Sequence, residues 1–455
     1  MNTRMASIPL ILPVETQVRE MDAKLLLACV AAERGHTAYV GFQNEIRAKI
    51  ASIPSGLFIA KGFASRKARF LRILRRLGFV VMAWDEEGLV HPPPDIYEKR
   101  RISAESLAMI DGVFSWGEDY TQLLKNLPIY DGTPIHEVGN PRIDLLRKDV
   151  NSYFDKDVAA LRARFGSYIL FNSNFGRINP AMKRRRDEGV AGPGTNSELD
   201  GKWLKGMEYR RELYQRFRIL LGEVAARFPD RQVVLRPHPS ERIESWNDIK
   251  DQHPNLHVLF EGNVLPWLLG AAVLIHNGCT TAIESVLMDR PAICYQPIAA
   301  KSVDWQLPNA ISHVADSDAA VIAMLENHLS GSSRLMVLDS QRQQLERFAT
   351  MRADRLASDC IVDVIESFGI VRAPVKWLES AAGHADARLR SMEKWLRSLL
   401  PGDIYSPWHQ RKQFPDLRLD DLKEMVARLR NATGRFAEID AKCFSKNVFA
   451  IERSA

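Results

Sequence analysis

Cysteine is scarce in this chain and scattered. Cys29, Cys279, Cys294, Cys360 and Cys443 form no C-x-x-C pair, which speaks against a zinc site or a disulfide framework and for a reducing compartment. Long apolar runs are missing as well: none reaches the roughly 18 residues that a membrane-spanning helix needs. The N-terminus has no basic segment followed by an apolar core, so no classical secretion signal is expected and the chain reads as cytoplasmic. No G-x-G-x-x-G follows the first strand pattern, which argues against a dinucleotide site. No stretch has the spacing of a nucleic-acid motif, and a pI near 9.0 with a net charge of +6 is weak evidence by itself. Nucleic acid is not an expected partner.

What is present is 455 residues of which 46% are hydrophobic, enough for roughly three domains, or for two larger ones and a tail. Ile8 to Val14, Thr37 to Gly41, Phe79 to Trp84, Asp111 to Ser115 and Ile135 to Val138 read as short strands. A helix from about Met21 to Arg34, closed by Gly35, lies between the first two. A second series runs from a strand at Tyr168 to Phe171, through a helix at Met207 to Phe228, to strands at Val233 to Arg236, His257 to Phe260, Ala272 to His276 and Ile293 to Gln296. This alternation predicts an α/β fold of two doubly wound Rossmann-type domains, 1–150 and 165–335, facing across a cleft. A helical extension follows over 340–455, with Trp377, Trp395 and Trp408 expected as packing anchors. Residues 177–203, polar and basic and including Lys183 to Arg186, read as a mobile loop.

In open α/β sheets ligands bind outside the carboxyl ends of the strands, so the residues just past each strand are the candidates. The strand V-V-L-R runs into P-H-P-S-E, which puts Arg236, His238, Ser240 and Glu241 at one tip. Prolines on both sides of His238 fix the backbone, and arginine with histidine suits a phosphate. The strand ending at His276 leads to Asn277, Gly278, Cys279, Thr280 and Thr281 with a helix behind. Small and hydroxyl residues at a helix N-terminus make a phosphate seat, and Glu284, one turn in, reaches a ribose. Asn172 and Asn174 end the strand before. In the first domain Asp85, Glu86 and Glu87 follow a buried strand. Three adjacent carboxylates repel one another and cost stability unless cations lie close or a proton is retained, which is how general bases and carboxylate nucleophiles are tuned. Glu15 and Arg19 follow the first strand, and Asn140 and Arg142 another.

Positive charge is concentrated in 66–76, where Arg66, Lys67, Arg69, Arg72, Arg75 and Arg76 have no acid among them. Phe70, Leu71, Ile73, Leu74 and Leu77 give that helix an apolar face, so peripheral contact with an anionic membrane is one reading and a solvated helix face is the other.

The set W-D-E-E-G (Trp84 to Gly88), G-N-P-R (Gly139 to Arg142), R-P-H-P-S-E (Arg236 to Glu241) and H-N-G-C-T-T-A-I-E (His276 to Glu284) resembles the bacterial surface carbohydrate biosynthesis protein family. The opening L-P-V-E-T-Q-V-R-E looks similar too, and the likeness covers roughly residues 8 to 300. The order of acidic-Gly, His-Pro and paired hydroxyls also resembles CMP-sugar-dependent sialyltransferases and the Kdo transferases of capsule synthesis. The resemblance implies a GT-B glycosyltransferase. Glu86 or Glu87 would work at the sugar, while His238, Thr280 and Thr281 would hold the CMP phosphate. Glu15, Arg19, Asn140 and Arg142 would face sugar or acceptor, with an arginine on the donor's carboxylate. No metal or cofactor is expected, because departing CMP is already a stable anion. The expected partners are a CMP-sugar donor carrying Kdo or another nonulosonate, and a glycan or lipid-linked glycan acceptor at the inner face of the cytoplasmic membrane.

Three other functions fit parts of the pattern. A CDP-alcohol-dependent phosphotransferase would ask for a histidine base, and His36, His91 and His136 are the histidines before the linker. A UDP- or GDP-hexose transferase would use the same strand tips. A non-catalytic shell would bind nucleotide or glycan without turnover.

Overall fold

The computed structural model describes residues 7–181, 197–298, 306–368, 375–400 and 402–454. The chain forms two compact α/β units, Met1–Tyr153 with Glu346–Ala455, and Phe154–Leu345.

The first unit is built on parallel strands β1 (Leu10–Val14), β2 (Ala38–Phe42), β3 (Leu57–Lys61), β4 (Val80–Trp84), β5 (Gly112–Ser115) and β6 (Ile135–Glu137), in the order β2-β1-β3-β4-β5-β6. Helices α1 (Gln17–Glu33), α2 (Gln43–Ala48) and α3 (Ala68–Arg76) make its early connections. The second unit has β7 (Ile169–Asn172), β8 (Val233–Arg236), β9 (Leu256–Val258), β10 (Val273–His276), β11 (Ala292–Tyr295) and β12 (His313–Ala315), in the order β12-β11-β10-β7-β8-β9, again parallel. Its core gathers Phe171, Phe217, Leu220, Leu235, Trp246 and Ile275. Both sheets are of the doubly wound, Rossmann type that the strand pattern predicts, which is the composition of a GT-B-like chain.

The stretch expected as a separate helical extension over 340–455 instead completes the first unit from Glu346 onward. The cause lies in α1, where Leu25 to Ala32 are all buried. A helix that is apolar all round needs cover on both sides, and the helices Ala357–Ser367 and Leu419–Thr433 supply it. Each of Leu25, Leu26 and Leu27 thereby gains about 1.5–3 kcal/mol over an exposed position. Arg435 pins the layer, donating to Glu33 at 2.5 and 3.0 Å and to Asp359 at 2.8 and 2.9 Å. The extension is also not purely helical. A hairpin of β13 (Ile439–Ser445) and β14 (Val448–Arg453) closes the sheet edge, with β14 antiparallel to β2. A Cβ on Gly41 would collide with the Asn447 carbonyl oxygen at this junction, so the close approach requires glycine.

Several boundaries differ from the sequence expectations. β3 and β12 were not among the expected strands, and the long helix starts at Ser197 rather than Met207. The rest of the expected 177–203 loop, with Lys183 to Arg186, falls within 182–196, outside the described residues. Trp377, Trp395 and Trp408 are not packing anchors: each is more than half exposed. Conversely, Phe70, Leu71, Ile73 and Leu74 of the basic helix α3 are buried in the first unit, so that face is not available to a membrane. Among the described residues no helix is long and apolar enough to cross a membrane.

Candidate functional site

In the second unit, β8 and β9 lie on one side of β7 while β10 to β12 lie on the other. The winding therefore reverses between β7 and β10, the position where such sheets bind ligands. Here the loop after β10 is shaped from beneath by His276, which is wholly buried. Its Nδ1 accepts the backbone N–H of Gly278 (3.0 Å) and Cys279 (3.3 Å). Its Nε2–H points at Ser312 Oγ (2.9 Å), whose own proton goes to the Pro308 carbonyl. These partners fix one neutral tautomer, and burial pushes the imidazole down to about 3. Gly278 turns the loop with φ +81°.

Amide side chains latch this loop to the end of β7. Asn277 Oδ1 accepts from Asn174 N (3.0 Å), Asn174 Nδ2 donates to the Gly278 carbonyl (3.4 Å), and Asn172 Nδ2 donates to Thr281 Oγ1 (3.0 Å). Thr280 is exposed at the start of the Thr281–Leu287 helix, and Glu284 lies one turn in, half-buried. A pocket opens beside them, lined by Asn174, Asn277, Gly278, Gln296, Tyr209, Arg210 and Asn309. Asn309 Oδ1 in the pocket wall, and Asn172 Oδ1 at the end of β7, are buried without a hydrogen-bond partner among the described residues.

The loop after β8 is organised by Glu241. One carboxylate oxygen accepts from Ser173 Oγ (2.8 Å), Phe175 N (2.9 Å) and His238 N (3.1 Å). Burial outweighs these bonds and holds its carboxyl above the ordinary range. His238 is exposed; its Nδ1 accepts from Ser240 N (3.2 Å) and lies 2.7 Å from Ser240 Oγ, so the ring proton sits on Nε2. Two expected ligands are not offered here. Arg236 is buried, donates to the carbonyls of Glu261 (2.6 Å) and Gly262 (3.2 Å), and stacks on Trp267 at 4.8 Å. Cys279 is buried, and His276 occupies its N–H.

In the first unit the winding reverses at β1, which lies between β2 and β3. A lattice of charges fills that point. Lys24 Nζ donates to the Pro13 carbonyl (2.6 Å), Glu20 (2.8 Å) and Glu86 (2.7 Å). Lys61 Nζ donates to Glu15 (2.8 Å) and Glu20 (2.7 Å). Trp84 Nε1 adds a bond to Glu86 at 3.0 Å. Burial raises Glu20 and Glu86, but Lys24 and Lys61 together outweigh it, so both stay ionised below the usual carboxylate range. Glu15 is lowered for the same reason by Lys61.

Each of the crowded carboxylates 85–87 has a cation beside it. Asp85 turns inward at 4% exposure, accepting from Tyr97 OH, Glu87 N and Arg101, and is structural. Glu86 faces Lys24. Glu87 is the most open of the three and meets Arg19 at 3.3 Å. Lys67 lies close by, without an ion pair or hydrogen bond among the described residues; burial, then Arg47 and Lys61, push its ammonium down to about 7. Asn140 caps a short helix by accepting from Arg142 N (3.0 Å), its Nδ2 buried and unpartnered among the described residues. Arg142 stacks on Trp116 at 5.7 Å. Of the three early histidines, His36 faces Glu366 (3.1 Å), His136 sits between Phe114 and Phe368, and His91 Nε2 lies 2.7 Å from Asp119. Among the described residues no group of three or more His, Cys, Asp or Glu is gathered to hold a metal.

Sequence reading passed over Lys24, Glu20, Lys61, His276 and Gln296, and took Lys67 only as part of the basic stretch 66–76. Glu20 and Lys24 stand one helical turn apart just after the first strand, a spacing that could have paired them. Nothing local marks Lys61 or Lys67.

No family model matches the chain, and no curated protein matches it. Among solved structures, the wall teichoic acid polymerase TagF with CDPG is similar at 12% identity, covering 69% of this chain and 72% of that one, with a TM-score of 0.41. UDP-GlcNAc 2-epimerase of Methanocaldococcus jannaschii in complex with UDP-GlcNAc and UDP is similar at 13% identity, 79% and 100% coverage and a TM-score of 0.45. Anabaena HepE in complex with UDP-glucose stands at 9%, 79% and 98%, and 0.42. Likeness of this degree concerns the path of the chain alone.

Proposed function

We propose that this chain is a glycosyltransferase using a nucleotide-sugar donor, with the nucleotide held by the second unit and the sugar served by carboxylates of the first. The observation that carries the reading is the amide-lined pocket at the β7/β10 reversal, beside Thr280 and Thr281. Amides read a base or ribose by hydrogen bonds, and hydroxyls with a histidine Nε2–H suit a phosphate. His238, Ser240, Thr280 and Thr281 are assigned to that phosphate, without Arg236.

The donor is a CMP-linked ulosonic acid. Transfer breaks the bond between the anomeric carbon and the phosphate oxygen, and CMP leaves with the electron pair. The acceptor hydroxyl oxygen bonds to that carbon and gives up its proton. Glu86, held ionised by Lys24, stabilises the oxocarbenium-like centre, and the more open Glu87 takes the proton. Lys67, without a carboxylate partner among the described residues, receives the donor's carboxylate in place of Arg19 and Arg142. No step asks for a metal.

Calorimetric titration with CMP, CDP, UDP and GDP, with and without magnesium, tests this. CMP is expected to bind best, indifferent to magnesium and weakened at least about tenfold in His238→Ala. Preference for UDP or GDP would move the assignment to a hexose transferase, and absence of nucleotide binding would leave a non-catalytic shell. A second reading has one observation behind it: Asp119 orients His91 as an acid–base histidine would be oriented. It fits a CDP-alcohol phosphotransferase, and tighter binding of CDP-glycerol than of a CMP-sugar would favour it.

A further inference from the structure

The helix Trp377–Ser398 packs on α2 and α3 of the first unit, and the faces that meet carry like charge. Gly383 permits the close approach: a Cβ there would come within 2.9 Å of Arg76 Cβ. Further along the same helix Arg390 and Lys394 stand one turn apart, opposite Asn44 and Arg47 of α2, also one turn apart. The guanidiniums of Arg47 and Arg390 each lie 5.3 Å from the ring centre of Phe70 on α3. Lys394 Nζ donates to Asn44 Oδ1 at 3.4 Å and lies 5.0 Å from the ring centre of Tyr405. Three cations from two helices thus converge where α2, α3 and the long helix meet.

Among the described residues no carboxylate pairs with any of the three. The acids close by are engaged elsewhere: Glu379 and Asp386 with Arg76, Glu393 with Arg69, Asp403 with Arg397, and Glu15 with Lys61. Nε of Arg47 and Nε of Arg390 are both buried without a hydrogen-bond partner among the described residues. Burial, with repulsion from the neighbouring cations added, pushes Lys394 down to about 6 and Arg47 to about 10. Two half-buried guanidiniums with idle N–H groups, beside a third cation, cost stability as they stand. A compact anion between them would reverse the sign of that cost.

The donors select the anion. A single carboxylate satisfies one guanidinium fork, whereas a tetrahedral phosphate has oxygens enough to bridge two forks and accept from an ammonium as well. The position agrees with a ligand site. α2 leaves β2 directly, so the cluster stands at the carboxyl edge of the first sheet, the edge that carries Glu15 and Lys61 and where such sheets bind ligands. We propose that Arg47, Arg390 and Lys394 form a binding site for a phosphate group, free or esterified. The first unit supplies all three residues, so the site does not depend on the donor assigned above.

Calorimetric titration of the full chain with inorganic phosphate and with glycerol 3-phosphate, in phosphate-free chloride buffer at fixed ionic strength, tests the site. The parent is expected to bind, and bound phosphate should slow amide exchange on α2 and on the Trp377–Ser398 helix. It should also raise the parent's melting temperature by about 3 °C or more. Arg390→Gln with Lys394→Gln should weaken phosphate at least about tenfold and lose the thermal shift. Without phosphate that variant should melt no lower than the parent, because the repulsion goes with the charges. Equal affinity for both ligands marks an esterified occupant, and binding of the inorganic ion alone marks a free one. A parent that binds neither, or a double variant that binds as tightly as the parent, overturns the proposal. So does exchange in the parent that slows only in the second unit, a result that needs no variant to fold.

Discussion

His276 makes the stability of the second unit depend on pH, with a computable size. Folded, the ring stays neutral down to about 3; unfolded, it takes a proton near its ordinary 6.5. A depressed folded value means that the unfolded chain binds the extra proton, so stability is fully present above about 6.5 and is lost as pH falls toward 3. Each pH unit in that window costs about 1.4 kcal/mol, so lowering the pH from about 7.5 to about 5 removes about 2 kcal/mol through this residue. His276→Gln keeps a donor and an acceptor but does not titrate. It should lower stability by about 1–3 kcal/mol at neutral pH through imperfect bonds to Gly278 and Cys279, yet lose less than the parent on acidification. Native-state hydrogen exchange of the β10 amides and of Gly278 and Cys279, at both pH values in both proteins, gives the difference directly. If parent and variant lose stability in parallel, the ring is not held neutral by burial and the reasoning fails. Because the ring shapes the loop carrying Asn277 to Thr281, the parent's nucleotide affinity should weaken over the same window.

Lys24→Met leaves Glu86 with only Trp84 Nε1 and should destabilise the first unit by about 3–5 kcal/mol at neutral pH in urea unfolding. Adding Glu86→Gln should restore most of it. The single variant should also regain stability as pH falls, the reverse of the parent, in which a depressed Glu86 loses stability on acidification; matching slopes would contradict this. Glu241→Gln should be nearly neutral to thermal stability, since one oxygen of the buried carboxylate is unpartnered among the described residues, whereas Glu241→Ala should cost about 1–3 kcal/mol and loosen the His238 loop. Gly41→Ala should drive β14 away from β2, which loss of exchange protection at Val448 to Ile451 would record, with little change in the second unit.

Both sheets were legible in the sequence because buried parallel strands are short apolar runs that end in small or polar residues. V-V-L-R-P-H-P and V-L-I-H-N-G-C-T-T state strand and tip together. What those tips do was less legible. Arg236 reads as a phosphate ligand from its neighbours, but Trp267 and two carbonyls of a distant loop claim it, and tertiary partners of that kind leave no local mark. The run of three carboxylates was read as strained because its cations come from elsewhere, Lys24 and Arg19 on α1. β3 went unread since L-F-I-A-K is too short to show a period. The β13–β14 hairpin does alternate, but it lies among charged helical segments that set the reading of the whole tail. The bare tryptophans were misplaced by the rule that large aromatics pack inside, which holds only where a core is in reach.

The return of the last hundred residues to the first sheet also constrains how the polypeptide is made. The second unit is continuous, so a ribosome has delivered all of it before β14 exists. Until those later segments are made, α1 lacks the cover of Ala357–Ser367 and Leu419–Thr433, and β2 is an open edge. The middle of the protein can therefore fold while its beginning waits, exposing the apolar residues of α1 to chaperones or to other nascent chains. A translation stop anywhere in the final hairpin would release a product whose second half is sound and whose first half cannot close.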